Sequence, residues 1–516
     1  MIRRSEYHDS VTLMETAREL NQLPGVLDAA VVMATQANQS ILREAGLLVP
    51  EIKGATANDL VVVVRAESEA AAERAMAHAQ AHLARRPTMS SAGTTFRPRT
   101  IQGAVGGNSE TNLAIISVAG RYAVAEAWDA LHCGLHVLLF SDNVSIEDEV
   151  ALKRYAIAHN LLMMGPDCGT AILNGTALGF ANAVPRGPVG IVAAAGTGLQ
   201  EVSALLARIG VGISQGIGTG GRDLKQEVGG MMMLHGMAAL QADPQTQILL
   251  LISKPPAADV ARRILAQAGQ SAKPTVVCFL GGDPAPVVEA GLIPARTLQQ
   301  AAYLAAQLAD VVEIEADAIM AREGADLQTR ASECKNRLQP GQVYLRGLFS
   351  GGTLAAEALV IWQTMLTDVH SNVAGAVPAL SAPLPDATRS IGHCAVDLGE
   401  DEFTVGRPHP MIDNDLRIRR LIQEAADPQV AVVMLDVVLG YGAHPDPASE
   451  LAPAIRRACD LAAGAGRELL VIASVTGTEG DPQRLSRQVQ ALESAGAIVA
   501  SCNAAAARLT GFIVTW

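Results

Sequence analysis

Aromatic side chains are scarce in this 516-residue chain, with seven Phe, six Tyr and three Trp. That is too few for the base-stacking platforms that grip single-stranded nucleic acid. Basic residues are also in deficit, 39 Lys and Arg against 52 Asp and Glu, for a net charge of −13. A chain with that balance is not built to wrap a nucleic acid, although a local basic pocket is compatible with it. The seven cysteines, at positions 133, 168, 278, 334, 394, 459 and 502, form no Cys-x-x-Cys pair. Their odd number and spread argue against a disulfide framework or a zinc ribbon and fit a reducing cytoplasm. Long apolar runs are missing too. Val430–Val433 and Leu249–Ile252 have the length of strands, far short of the roughly 20 residues of a membrane span. The opening MIRRSEYHDS has no apolar stretch behind its arginines, so it does not read as a secretory signal.

What is abundant is aliphatic: hydrophobic residues make up 49% and charged residues 18%, with 47 glycines. Cores of Ala, Val, Leu and Ile suit helices packed on parallel sheets. At roughly 100–200 residues per domain, the length predicts three or four domains. Strand-length apolar runs alternate with helical patterns almost throughout, the βαβ signature. The fold class is α/β, with several doubly wound parallel-sheet domains.

In the first unit, helices are expected near Val11–Leu20, Gln36–Ala45 and Glu67–Arg85, with strands at Asp28–Met33 and Leu60–Val64. Pro87–Asn112 is polar and reads as a linker. The second unit opens on the strand LAIISVAG, Leu113–Gly120. In it Ser145 stands three residues before Asp148, a capping-box spacing that should start a helix. The third unit begins at Gly187 and the fourth at Gly341, each a small doubly wound sheet, with a charged, partly helical connector between them.

In such sheets ligands bind at the carboxyl ends of strands, where loops meet helix N-termini. AAAGTG, Ala193–Gly198, is the clearest of these loops. Unpaired amides and the positive end of the helix dipole would make it an anion site. A glycine that merely permits a tight turn is an equally good account. LGYGAHPD, Leu439–Asp446, offers a second such terminus, and IGTGGRDL, Ile217–Leu224, a third loop. There Arg222 could clamp an anion or form an internal pair with Asp223. Lys254, in ISKPP, could neutralise a substrate charge, with Pro255 holding it extended. Cys168, in GPDCGT, is more plausible as packing than as a nucleophile. The stiff loop Val405–Asp413 displays Arg407, His409 and Asp413. Two His pairs, His78/His82 and His132/His136, have i,i+4 spacing without the Glu of His-Glu-x-x-His, and no metal is expected.

Read together, LAIISVAG, LLFSDNV, MGPDCGTAI, GIVAAAGTGLQE, GIGTGGRD, LISKPP, RGLFSGGTLAAEA, DLGEDEFTVGRPHPMID and LDVVLGYGAHPDP resemble the FdrA family over essentially the whole chain. That family is itself similar to succinyl-CoA synthetase. The resemblance implies an N-terminal α/β domain and linker (1–99) and a Rossmann-like CoA-binding domain (100–185). It further implies a synthetase α-type ligase domain (186–310), a connector (311–340) and a CoA-ligase domain of the synthetase β C-terminal type (341–516). Both ligase domains would be flavodoxin-like. In the synthetase two helix N-termini face each other across a phosphate, and the matching positions are Gly196, Thr197, Gly198 and Gly440, Tyr441, Gly442. Ser141, Asp142, Asn143, Asp167, Cys168, Gly218, Thr219, Gly220, Gly351, Gly352 and Thr353 become candidate substrate or CoA contacts, and Arg222, Lys254 and His409 candidate catalytic groups.

The departures are informative. The synthetase carries phosphate on a histidine after the strand matching TVVCFLGG, and here DPAPVVEAGLIPAR contains none. The glutamate that supports that histidine falls near Ser253 and Lys254, and no unit has room for an ATP-grasp domain. FdrA proteins imply a subunit of an oxamate-type carbamoyltransferase, moving a carbamoyl group between a ureide such as oxalurate and phosphate. The competing readings are an acyl-CoA synthetase-like protein relying on a partner ATP-grasp subunit, and a non-catalytic CoA- or metabolite-binding scaffold. The expected ligands are phosphate or carbamoyl phosphate and small anionic substrates, with no required cofactor and CoA left open. The expected partners are companion subunits in a homo- or hetero-oligomer, with no nucleic acid and no membrane.

Overall fold

The computed structural model describes all residues except 5, 7–9, 36, 37, 40, 41, 44, 45, 57, 85–97, 374–380, 405–407 and 516. The helix expected over Gln36–Ala45 falls largely, and Arg407 wholly, outside the described residues. Among the described residues twenty strands form four sheets. The first pairs β1 (Ile2–Arg3), β3 (Leu60–Ala66) and β2 (Val26–Met33) antiparallel, under the helices Ser10–Asn21 and Glu69–Ala84. The second is parallel: β4 (Leu113–Ile116), β5 (His136–Leu139) and β6 (Met163–Met164). Ser145 caps the helix Ile146–Ala158 by accepting the Asp148 amide at 3.1 Å, as its spacing predicts.

The third sheet runs β13-β12-β11-β9-β10-β7-β8. Its parallel core is β9 (Arg186–Ala193), β10 (Ile213–Gly218), β11 (Ile248–Ser253), β12 (Thr275–Phe279) and β13 (Ile293–Pro294). The antiparallel hairpin of β7 (Thr170–Leu173) and β8 (Thr176–Gly179) extends one edge. Sheet membership therefore changes at Thr170. The sequence reading has no hairpin here, yet Asn174-Gly175 is the strongest two-residue turn signal, and both residues have positive φ, 50° and 80°. Residues 101–107 of the expected linker form a helix, capped by Thr100 accepting the Gly103 amide.

The fourth sheet, all parallel, runs β16-β15-β17-β14-β18-β19-β20. Its members are β14 (Tyr344–Phe349), β15 (Val369–Ser371), β16 (Ala382–Pro383), β17 (His393–Asp397), β18 (Val430–Val438), β19 (Leu470–Thr476) and β20 (Ile498–Ala500). Every residue of β18, VAVVMLDVV, is buried, as befits a central parallel strand covered on both faces.

The third and fourth sheets are not separate bodies. One apolar core runs from Ile191, Leu206 and Ile252 through Leu327 and Cys334 of the helix Ala316–Lys335 to Phe349, Trp362, Met434 and Leu509. Polar groups inside this joint are paired, as burial demands. Asn503 donates from Nδ2 to Leu354 O (3.0 Å) and Glu357 Oε2 (2.8 Å), while its amide reaches Glu201 Oε1 (3.0 Å). Glu357 Oε1 accepts the Leu298 amide at 2.6 Å. Arg208 bridges the units through Gly477 O and Ser501 O.

Burial, reinforced by Glu201, lifts the Glu357 carboxyl from its ordinary 4.5 to about 7 against the Asn503 hydrogen bond. The folded state thus holds this proton to higher pH than the unfolded chain. Its stabilisation is complete below about pH 4.5 and is lost as pH rises through about 7. Glu357→Gln is expected to remove a decline worth up to about 3 kcal/mol over that window. Denaturant melts of both proteins from pH 4.5 to 8 check this, and parallel pH profiles would contradict it.

Candidate functional site

Strand order reverses at β9, flanked by β10 and β11, and at β14, flanked by β17 and β18. These are topological switch points, where doubly wound sheets bind ligands. Each strand leads through a glycine turn into a helix, Gly196–Ile209 after β9 and Gly352–Trp362 after β14. The two helix starts meet head to head. A Cβ on Gly351 would lie 2.8 Å from Thr197 Cγ2, and one on Gly198 would lie 3.0 Å from Thr353 Cγ2. Neither helix has a side-chain cap or an acidic residue in its first turn. Both therefore present open amides and a positive dipole end to one space.

A buried carboxylate fixes the second turn. Asp436 Oδ1 accepts the Ser350 amide (2.8 Å), Oδ2 accepts the Gly351 amide (2.9 Å), and Arg417 balances the charge at 3.2 Å.

Lys254 enters the same space from the end of β11. Its Nζ lies 3.9 Å from the position a Gly352 Cβ would take, and among the described residues it has no hydrogen bond or salt bridge. Asp397, at the end of β17, borders the same position, with Oδ2 2.6 Å away. Burial and then Glu400 push its carboxyl up to about 7, while Lys254 and the Gly399 amide pull the other way. His409 stands behind Gly399, its Nε2 2.7 Å from where a Cβ would be. Burial, helped by Arg417, lowers this imidazole to about 4, so it is neutral at pH 7. Its Nδ1 accepts the Met411 amide at 3.2 Å, leaving Nε2–H as a donor.

The second unit supplies a rim. The Asp167 amide bonds to Ser141 O (3.0 Å), the Gly165 amide reaches Thr219 O (3.4 Å), and a Gly220 Cβ would strike Pro166 O at 2.3 Å. The loops 141–143, 165–168 and 218–220 thus pack on one another. Burial, and then the nearby Asp142, Asp401 and Glu400, raise the Asp167 carboxyl to about 6 against the pull of Arg222. Arg222 itself is tied to Glu149 at 3.0 Å, beside the buried Lys153–Asp223 pair. Its partner is thus a glutamate of another unit and not the neighbouring Asp223.

One expectation needs correction. Gly440, Tyr441 and Gly442 do not form the facing terminus, because the next helix starts only at Pro447. Tyr441 instead donates its amide to Ala181 O (2.8 Å), and Gly440 lies against Ala181, so this loop docks the β8 edge onto the fourth sheet. Gly351, Gly352 and Thr353 take that place. Cys168 is buried against Gly218 with its thiol raised to about 12 by burial, in keeping with the packing role expected of it. Asp397, Glu400 and Asp436 are missed by the sequence reading, although DLGED follows a strand as the glycine loops do.

The head-to-head contact makes a direct prediction. Gly351→Ala should destabilise the chain by about 1–3 kcal/mol through overpacking. Adding Thr197→Ala, which removes Cγ2 and Oγ1 but leaves Thr197 Cβ 3.0 Å away, should recover part of that loss. A double-mutant cycle in denaturant checks the coupling, and strict additivity would contradict the contact.

Residues 348–513 match the CoA-ligase family model, and residues 1–98 match that of the AllF, heavy metal-associated domain. The second match comes without a cysteine, since the first in the chain is Cys133. Among the described residues no group of three or more His, Cys, Asp and Glu is placed to hold a metal. Nor, among them, is any helix long and apolar enough to cross a membrane. The malate–CoA ligase subunit alpha of Methylorubrum extorquens is 28% identical over 30% of this chain and 53% of its own length. The chain thus spans about half of that relative. The dinucleotide-forming acetyl-coenzyme A synthetase 1 of Ca. Korarchaeum cryptofilum aligns over 78% of this chain and 82% of that one, at 13% identity and a TM-score of 0.32. The protein YahF of Escherichia coli strain K12 is 46% identical over 98% of this chain and 96% of its own length. The chain belongs to the YahF family, CoA-ligase-like proteins related to the alpha subunits of succinate–CoA ligases.

Proposed function

We propose that this chain is the acyl-transfer core of an acid–CoA ligase-type enzyme whose nucleotide-handling domain is supplied by a companion subunit. In this reading the space between the Gly196 and Gly352 helices seats phosphate, or the phosphoryl end of an acyl phosphate. The observation that carries it is the Lys254 ammonium, which has no hydrogen bond or salt bridge among the described residues, beside two uncapped helix starts. Fixed dipoles and the Lys254 cation, which also faces the Asp397 and Glu400 carboxyls, would stabilise charge on the phosphoryl oxygens. The CoA-ligase match over 348–513 supports the same reading.

A second reading stays within this geometry. Carbamoyl phosphate is also a mixed anhydride of phosphate, and an oxamate-type carbamoyltransferase subunit would use the same seat. It is favoured by residues 283–296, which contain no histidine to carry phosphate. The His409 ring is held as a donor and not as a free base. Transfer would then pass directly between a ureide and phosphate.

Calorimetric titration of the purified chain with orthophosphate, acetyl phosphate, carbamoyl phosphate and CoA tests both. Lys254→Ala is expected to weaken every phosphoryl ligand at least about tenfold, the loss of one charge-assisted contact. CoA binding alongside acetyl phosphate favours the ligase, and carbamoyl phosphate without CoA favours the carbamoyltransferase. Phosphoryl affinities unchanged by Lys254→Ala would contradict the shared site.

A further inference from the structure

A carboxyl group stands inside this seat, which a general anion site would exclude. Asp397 is 3% exposed and rigidly held. Asn372 clamps its peptide from both sides, donating to Asp397 O at 2.8 Å and accepting its amide at 2.9 Å. Oδ1 accepts the Gly399 amide at 2.8 Å. Oδ2 has no hydrogen-bond partner among the described residues and borders the start of the Gly352 helix, 2.6 Å from where a Gly352 Cβ would sit. The Lys254 ammonium stands 3.9 Å from the same point. An unpartnered acid oxygen, an ammonium and open helix amides thus line one space.

The amides and the ammonium only donate. A carboxylate only accepts. A fully ionised oxyanion seated here would meet donors on most sides and the lone pairs of Oδ2 on one. An oxyanion that keeps a proton would donate it to Oδ2 and satisfy every contact. We propose that Asp397 is the specificity-determining residue of this anion site, selecting phosphate, which carries a proton, over sulfate, which carries none. The inference rests on the reading of this space as a phosphate seat.

The groups that face Asp397 determine when the preference operates. Lys254 pulls towards the carboxylate, and Glu400 and Asp436 push against it. Asp436 is itself committed to Ser350, Gly351 and Arg417. His409 is neutral, with its Nε2 2.7 Å from the would-be Gly399 Cβ and Asp397 Oδ1 3.1 Å from that point. The outcome is a carboxyl that changes state at about pH 7. Above that pH it accepts a proton from the ligand and rejects sulfate. Below it the acid carries its own proton and can donate to either ion.

Competitive calorimetry of the full chain with orthophosphate and sulfate, at pH 8 and pH 6, tests this. At pH 8 phosphate should bind at least about tenfold more tightly, the cost of one unmade charge-assisted hydrogen bond. The gap should narrow at pH 6 because sulfate binding strengthens. Asp397→Asn, whose amide can donate, should bind both ions alike at either pH, mainly by gaining sulfate. The wild-type pH comparison stands even where the variant fails to fold. Equal affinities for the two ions at pH 8, both lost in Lys254→Ala, would overturn the role of Asp397 and leave the anion site standing. Binding of neither ion would remove the site reading and this inference with it.

Discussion

The structure depends on one contact, the meeting of two helix starts from two different sheets. It is possible because Gly198 and Gly351 have no side chains where Thr353 and Thr197 press in. Two positive dipole ends pushed together repel. The fold holds them there with a continuous apolar core and with paired polar groups around Asn503, Glu357 and Glu201. Asp436 adds the local restraint, binding the Ser350 and Gly351 amides directly. In the proposed reading, the resulting electrostatic tension is what an anion seated there would relieve.

Much of this architecture is legible in the sequence. Alternating apolar runs and helical patterns identify parallel sheets, and β9, β11, β12 and β18 lie close to where their hydrophobic runs place them. The Ser145 cap is readable because it depends only on residues three apart. Lys254 stands out because Pro255 ends its strand and nothing nearby in sequence pairs with it.

The rest needed long-range information. Glycine loops after apolar strands look alike locally, so the sequence cannot distinguish Gly440-Tyr441-Gly442 from Ser350-Gly351-Gly352. Which one faces Gly196 depends on where each sheet reverses its order, and on the four residues that separate Gly442 from its helix. Asp397 is hidden for a related reason. On its own strand it is merely the acid that ends HCAVD, and its meaning comes from Lys254 and Gly352, far away in the chain. The pairing of Arg222 with Glu149 instead of adjacent Asp223 follows the same pattern, since Asp223 is taken by Lys153 and the Met232 and Met233 amides.

The central claim is that the two helix starts and Lys254 together hold one oxyanion. A crystal structure grown at pH 8 with orthophosphate tests it most directly. The account predicts tetrahedral density between Gly196–Gly198 and Gly352–Thr353, within hydrogen-bond reach of Lys254 Nζ and of Asp397 Oδ2. Phosphate bound elsewhere on the chain, with Lys254 turned away to a protein carboxylate, would contradict it.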